Sequence, residues 1–332
     1  MVKIGNIEAG EFPLILSPME EITDSPFREI CKPFGVDVLE TEFIASDALV
    51  REVEKSKKKM NFNQSQRPIG VQIFGNDEEA MTGAAKVVEQ VNPDFIDINW
   101  GCPVRKVAGK GSGSGILNNI PKMVHITKSI VRAVNVPVTV KTRLGYDDTN
   151  KPIVEIAEQL QDVGIKAISI HGRTRSQMYK GSADWTLIGE VKNNPRITIP
   201  VFGNGDITTP ETALEMKNKY GVDGILIGRG AIGNPWIFSQ TKALLNGETY
   251  TIPSISERVE VCKKHLLASI DAKEGRGAIL EMRKHYSGYF KGIDHFKPFR
   301  TRLVSETTLE ELLKTFSDIE EHYKDFVADC NK

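Results

Sequence analysis

The chain has no long apolar run. No segment approaches the roughly 18 consecutive apolar residues of a membrane-spanning helix, and its first residues lack the basic stretch and apolar block of a secretory leader. Neither membrane insertion nor secretion is expected. Cysteine is scarce: Cys31, Cys102, Cys262 and Cys330 lie far apart with no CxxC pair, which argues against a disulfide framework or a zinc site. A reducing, cytoplasmic setting without a bound metal follows as an expectation. Neither sign of charge prevails, since Lys plus Arg (43) nearly cancels Asp plus Glu (44). A polyanionic partner would have to be met by a local basic patch. No GxGxxG follows the first apolar run, as it would in a doubly wound dinucleotide-binding sheet. The stretch Gly109, Lys110, Gly111, Ser112, Gly113, Ser114, Gly115 lacks the Lys-Ser/Thr ending of a Walker loop. It reads either as a mobile lid or as a flexible connector.

What is present is a repeated alternation. Eight short runs rich in Val and Ile occupy 14–17, 36–40, 69–73, 95–99, 138–141, 167–171, 200–203 and 224–228. Segments of helical spacing separate them, for example 77–90, opened by Asp77, and 152–163, closed by Gly164. Near-continuous apolar strands joined by helices indicate a parallel sheet buried on both faces. Eight such units close into a (β/α)₈ TIM barrel, an α/β fold, whereas open sheets usually stop at five or six strands. Hydrophobic residues at 40% supply its core.

The strand pattern stops near residue 245. We therefore expect a barrel domain over 1–245 and a C-terminal helical domain over 246–332. Within the latter, 276–302 carries Arg276, Arg283, Lys284, Lys291, Lys297, Arg300 and Arg302 against Glu281 and Asp294, with Tyr286, Tyr289, Phe290, Phe296 and Phe299 interleaved. Cations and flat rings together suit RNA, whose phosphates and unpaired bases they would meet. A charged helical bundle with its aromatics in the core has the same composition.

Active groups of such barrels project from the C-terminal ends of the strands. Here those ends carry Gln72, Asn99, Lys141 with Arg143, and His171 with Arg173. Each alone is as readily a loop-bonding residue. Together they place several donors at one mouth, which calls for an anionic or electron-rich partner. The seventh and eighth runs end in Gly203, Asn204, Gly205, Asp206 and in Gly228, Arg229, Gly230, where barrels commonly bind phosphate. FMN is the economical ligand: its phosphate would sit there, with Lys141 and His171 at the N1–O2 end of the ring to stabilise the negative charge of the reduced form. Cys102 follows the fourth run, beside that ring. An ordinary thiol, with a pKa of about 8.5, is protonated at neutral pH and can act as a general acid. A small buried cysteine in a tight turn is the alternative.

These residues resemble a family. Ser17, Pro18, Met19, then Thr23, Asp24, Phe27, Arg28, then Asn99, Gly101, Cys102, Pro103, Val140 to Arg143, His171 to Arg175, Asn204 to Asp206, and Gly228 to Gly230 with Asn234, Pro235 and Trp236 are similar to motifs of the tRNA-dihydrouridine synthases. Arg283, Lys284, His285, Tyr289 and Lys291 resemble the RNA-binding segment of the bacterial B-type branch. The resemblance implies that NADPH reduces FMN, that the flavin passes hydride to C6 of a tRNA uridine, and that Cys102 protonates C5. It also implies FMN contacts at Pro18, Met19, Gln72, Lys141, His171, Asn204, Gly205, Asp206, Gly228 and Arg229. Asn99, Arg143 and Arg173 would face the uracil or the flavin, and Arg283 and Lys284 the tRNA. The target uridine would have to leave its stack to reach the ring. No obligate protein partner is implied. The chain departs from the family at Glu20 and Glu21, where Ala and Gly are usual, so only the backbone of Glu20 is carried over as a flavin contact.

Two other chemistries fit the same strand ends. A dihydroorotate dehydrogenase-like enzyme acting on a small pyrimidine would share the FMN site but have no use for a basic helical extension. A Schiff-base aldolase using Lys141 would be colourless.

Overall fold

The structure, a computed structural model, describes residues 1–273 and 276–325; Cys330 lies outside them. An antiparallel hairpin, β1 (Val2–Ile4) and β2 (Ile7–Gly10), opens the chain. Parallel strands follow: β3 (Leu14–Leu16), β4 (Leu39–Glu40), β5 (Ile44–Ala45), β6 (Ile69–Phe74), β7 (Phe95–Trp100), β8 (Val138–Arg143), β9 (Ile168–His171), β10 (Val201–Asn204) and β11 (Gly224–Ile227). They pair in the order β3-β11-β10-β9-β8-β7-β6-β4. A parallel bridge between Ile15 and Val38 joins the two ends, so the sheet closes into the expected barrel. All eight apolar runs lie on it. Two features escaped the periodicity. The second barrel strand is broken: β4 and β5 pair with successive parts of β6, and Thr41 to Phe43 bulge between them. The hairpin plugs the bottom of the barrel, where Ile4 and Ala9 pack against Ile15, Val38, Phe95, Ala167, Phe202 and Leu226.

The helices form for local reasons. Asp77 caps Glu78–Glu89 by accepting from the Ala80 amide, and Asn119 caps Ile120–Ala133 through Lys122. Their apolar stripes cover the outside of the sheet in one continuous core, which includes Met81, Val88, Ile126, Ile156 and Leu160.

Beyond Leu245 the described residues are helical: Ile255–Ala272, Arg276–Tyr289, Lys297–Ser305 and Leu309–His322. Capping boxes at Ser254–Glu257 and Thr308–Glu311 start the first and last of these. Tyr286, Tyr289, Phe290 and Phe296 are buried in this segment's own core with Leu266, Met282 and Phe316, so they are not free to stack on bases. The burial of four rings is what lets four short helices hold together.

This segment sits close against the barrel. A Cβ on Gly288 would lie 1.9 Å from the Ile232 carbonyl oxygen, and one on Gly233 (φ +63°) 2.2 Å from that of His285, so only glycine permits the contact. Phe27 of the helix Ser25–Cys31 stacks on His265 (5.3 Å) and touches His285 (4.7 Å).

Candidate active site

At the C-terminal mouth of the barrel the strands surround a cavity of about 1230 Å³. Ser17, Pro18, Met19, Glu20, Asn99, Cys102, Lys141, Arg143, His171, Asn204, Gly205, Asp206, Gly228 and Arg229 all line it, from six loops far apart in sequence.

The turn after β7 is held on both sides. The Asn99 carboxamide oxygen accepts from the amides of Gly101 (3.0 Å) and Cys102 (2.8 Å). The Cys102 carbonyl accepts from the Ser114 amide (3.0 Å) and hydroxyl (2.9 Å), and Arg143 Nε donates to the Gly101 carbonyl (2.7 Å). Backbone freedom is thus removed, and the Cys102 side chain presents its thiol to the cavity at 7% exposure. Burial raises the thiol pKa above its ordinary value; Glu20 adds to this, and the Val104 amide, Arg143 and Lys141 oppose it. Cys102 is therefore protonated at neutral pH.

The glycine-rich stretch makes that grip possible. Gly113 and Gly115 are buried, and a Cβ at either would lie within 2.8 Å of a carbonyl oxygen, that of Cys102 or of Ala108. Its second half, Ser112 to Gly115, is packed structure behind the cysteine, while Gly109 and Lys110 are exposed.

Lys141 is buried. Its Nζ donates to Asn204 Oδ1 (3.2 Å), and Asn204 Nδ2 donates to the Leu226 carbonyl (3.0 Å). Burial lowers its pKa to about 8, against the pull of Glu40 and Asp97 below it. Those two carboxyls are themselves raised, chiefly by burial. His171 Nε2 lies 3.1 Å from Arg173 Nη1. A guanidinium cannot accept, so Nε2 is the acceptor and Nδ1 carries the proton. Burial, then Arg143, Lys141 and Arg173, hold its pKa well below the ordinary value, so the ring is neutral.

Two expected contacts, Arg173 and Gln72, are placed differently. Arg173 is buried outside the cavity wall, with both Asp206 oxygens (2.9 and 2.7 Å), the carbonyls of Lys180 and Gly181, and His171 as partners. It orients His171 and Asp206 from behind the wall. Gln72 is also buried off the wall: it donates to Asp97 (2.7 Å) and accepts from Asn99 Nδ2 (2.8 Å). It reaches the cavity through Asn99. The Glu20 side chain leans out to Lys59 at 3.6 Å. The electron-rich partners that the clustered cations required are partly internal, because Arg143 also donates to the Thr174 and Met178 carbonyls.

Asp206 (φ +56°) is fixed by Arg173, Arg229 and the Ala183 amide. Burial would raise its pKa, but the Ala183 amide and Arg173 override that and hold it below the usual range. Among the described residues nothing accepts from the backbone amides of Asp206 or Arg229. With the Arg229 guanidinium they form a cradle fit for a phosphate.

Sequence reasoning missed Tyr179. Its ring is half exposed at the mouth, with the Arg143 and Arg229 guanidinium carbons 5.5 and 5.6 Å from its centroid. The loop that carries it is pinned by carbonyls bound to Arg143 and Arg173 on either side. An aromatic residue eight positions after a strand end carries no periodic signal. Arg283 and Lys284 also have protein partners: Arg283 approaches the Ser305 and Glu306 carbonyls, and Lys284 binds Glu21.

The dihydrouridine synthase family model matches residues 15–327. A probable tRNA-dihydrouridine synthase of Rickettsia conorii is 39% identical over 302 residues, which cover 90% of each chain. The tRNA-dihydrouridine synthase B of Pseudomonas putida is 38% identical over 290 residues, 87% of this chain and 86% of that protein. Among solved structures, histamine dehydrogenase from Rhizobium sp. 4-9 matches with a TM-score of 0.55 at 14% identity, over 80% of this chain and 50% of that one. Morphinone reductase matches at 0.50 and 10% identity, over 74% and 88%; these two likenesses speak for the barrel fold. The extent of the family match, across barrel and helices together, means that the chain belongs to the dihydrouridine synthase family.

Proposed function

We propose that this dihydrouridine synthase reduces the C5–C6 double bond of uridines in tRNA, with FMN as its cofactor and NADPH as reductant. The observation that carries the reading is Cys102: a protonated thiol with its peptide groups fixed, in a cavity shared with Lys141, His171 and an anion cradle.

The residues fit FMN. Asp206, Gly205, Gly228 and Arg229 would hold the phosphate, and Pro18, Met19 and the Glu20 backbone would border the ring. Bound there, the flavin supplies hydride to C6 of the uracil. Hydride addition at C6 leaves negative charge at C5, and the Cys102 thiol donates its proton to that carbon. Lys141 and the Nδ1–H of His171 would supply a cation and a neutral donor to stabilise the negative charge of the reduced flavin. Asn99, oriented through Gln72, and Arg143 bind the uracil carbonyls. Arg173 acts by keeping His171 and Asp206 in place. The helical segment, with Lys284 at its barrel side and Arg283 beside it, receives the tRNA.

The reading requires a yellow protein. Mass spectrometry of the released cofactor is expected to show FMN. No flavin after reconstitution with excess FMN would remove it and leave the colourless aldolase alternative.

Tyr179 is placed to stack on a base entering the mouth, an interaction of roughly 1–3 kcal/mol. Tyr179→Ala is expected to lower kcat/KM for tRNA about tenfold while leaving flavin reduction by NADPH intact. Unchanged tRNA kinetics would exclude that contact.

A further inference from the structure

Glu21 lies on the cavity rim amid cations from two separate parts of the chain. Its carboxylate is 2.7 Å from Lys284 Nζ of the helical segment. From the barrel side come Lys59 and Lys55, at the C-terminal end and within the short helix Glu54–Lys58; both add to the field that holds the Glu21 carboxyl below its ordinary pKa, behind the larger effect of Lys284. Lys59 is shared with Glu20 (3.6 Å) and Glu42 (3.4 Å).

The loop does not need the Glu21 side chain. Backbone holds it: the Glu21 amide donates to Glu42 (2.6 Å), and the Met19 amide to Thr23 (2.9 Å). The carboxylate is 70% exposed and free to swing away. A singly charged, two-oxygen anion inside a lysine cluster has the charge and donor demand of a phosphodiester.

We propose that Lys59 and Lys284 form a seat for one RNA backbone phosphate beside the cavity, and that the Glu21 carboxylate fills this seat in the free protein. The proposal rests on reading the substrate as RNA. Binding then exchanges one anion for another, and Glu21 opposes RNA that reaches the rim without engaging the rest of the surface. Because the ion pair is exposed, its effect is modest and screened by salt.

The test uses the FMN-loaded full chain and an unmodified tRNA transcript, with affinity read by fluorescence anisotropy. Glu21→Gln is expected to tighten binding about three- to tenfold at low salt, with the gain fading as salt rises. Lys284→Ala is expected to weaken binding, and in the double variant Glu21→Gln no longer helps. An unchanged or weaker affinity in Glu21→Gln, or a gain undiminished in the Lys284→Ala background, would overturn the seat. If instead only the KM for NADPH moves, the cluster serves the phosphates of the dinucleotide and the proposal is wrong. Failure of the wild-type protein to bind tRNA at all would sink the RNA reading itself, and is distinguishable from these outcomes.

Discussion

Cys102→Ala is expected to bind FMN and to be bleached by NADPH at the wild-type rate, yet to lose tRNA reduction by roughly the 10² to 10⁴ of a positioned general acid. The separation follows from the geometry. The thiol lines the cavity, while the flavin-holding residues proposed above belong to other strands and loops. The turn is gripped through backbone atoms, by Asn99, Ser114 and Arg143; the contact of the thiol with the Val104 amide is lost in the variant without touching that grip. The variant should therefore fold as the wild type does. Cys102→Ser is the sharper probe, since a hydroxyl of similar size is a far weaker acid and should restore little. Stopped-flow reoxidation of the reduced enzyme by unmodified tRNA isolates the step. A wild-type rate in either variant would show that the C5 proton comes from elsewhere.

Lys141→Met should act on the other half-reaction. With the cation gone from a dry site, flavin reduction by NADPH is expected to slow by about 10² or more, the usual loss when a preorganised charge is deleted. The wild-type enzyme offers a check by pH. Burial lowers the Lys141 pKa to about 8, so its charge is present below that pH and is lost above it; the rate of bleaching should fall as pH rises through this region. Unfolding would not explain such a fall. A folded-state lysine pKa below the unfolded value near 10.4 means that the unfolded chain binds more protons between the two, so this group's contribution to stability rises with pH there. In Lys141→Met the alkaline limb should vanish. Its persistence would assign the limb to another group and separate Lys141 from flavin reduction.

Lys141 was visible as the polar end of an apolar run, Cys102 as a residue just past one, and the reason is physical. A parallel strand buried on both faces is nearly continuous in Val and Ile, so Lys141 within Val138–Arg143 or His171 at the end of Ile168–His171 stands out locally. The same signal carried the barrel, because eight runs with intervening helices leave few topologies. It failed where side-chain direction mattered. Arg173 and Arg143 follow strands in the same way, yet Arg143 lines the cavity and Arg173 lies behind its wall, bound to Asp206, thirty-three residues on.

What the sequence determined by itself was thus the order of strands and helices and most of the polar residues that meet at the barrel mouth, Asn99, Lys141, Arg143 and His171 among them. These depend on hydrophobic period and on a strand's fixed direction, both of which are local. Only the tertiary structure decided that Tyr286, Tyr289, Phe290 and Phe296 are core, that Gly113 and Gly115 serve packing behind Cys102, that Tyr179 stands at the mouth, and that Lys284 meets Glu21 across the rim. Each depends on a partner distant in sequence, and burial or pairing of a single side chain is settled by the closed fold, which no local pattern encodes.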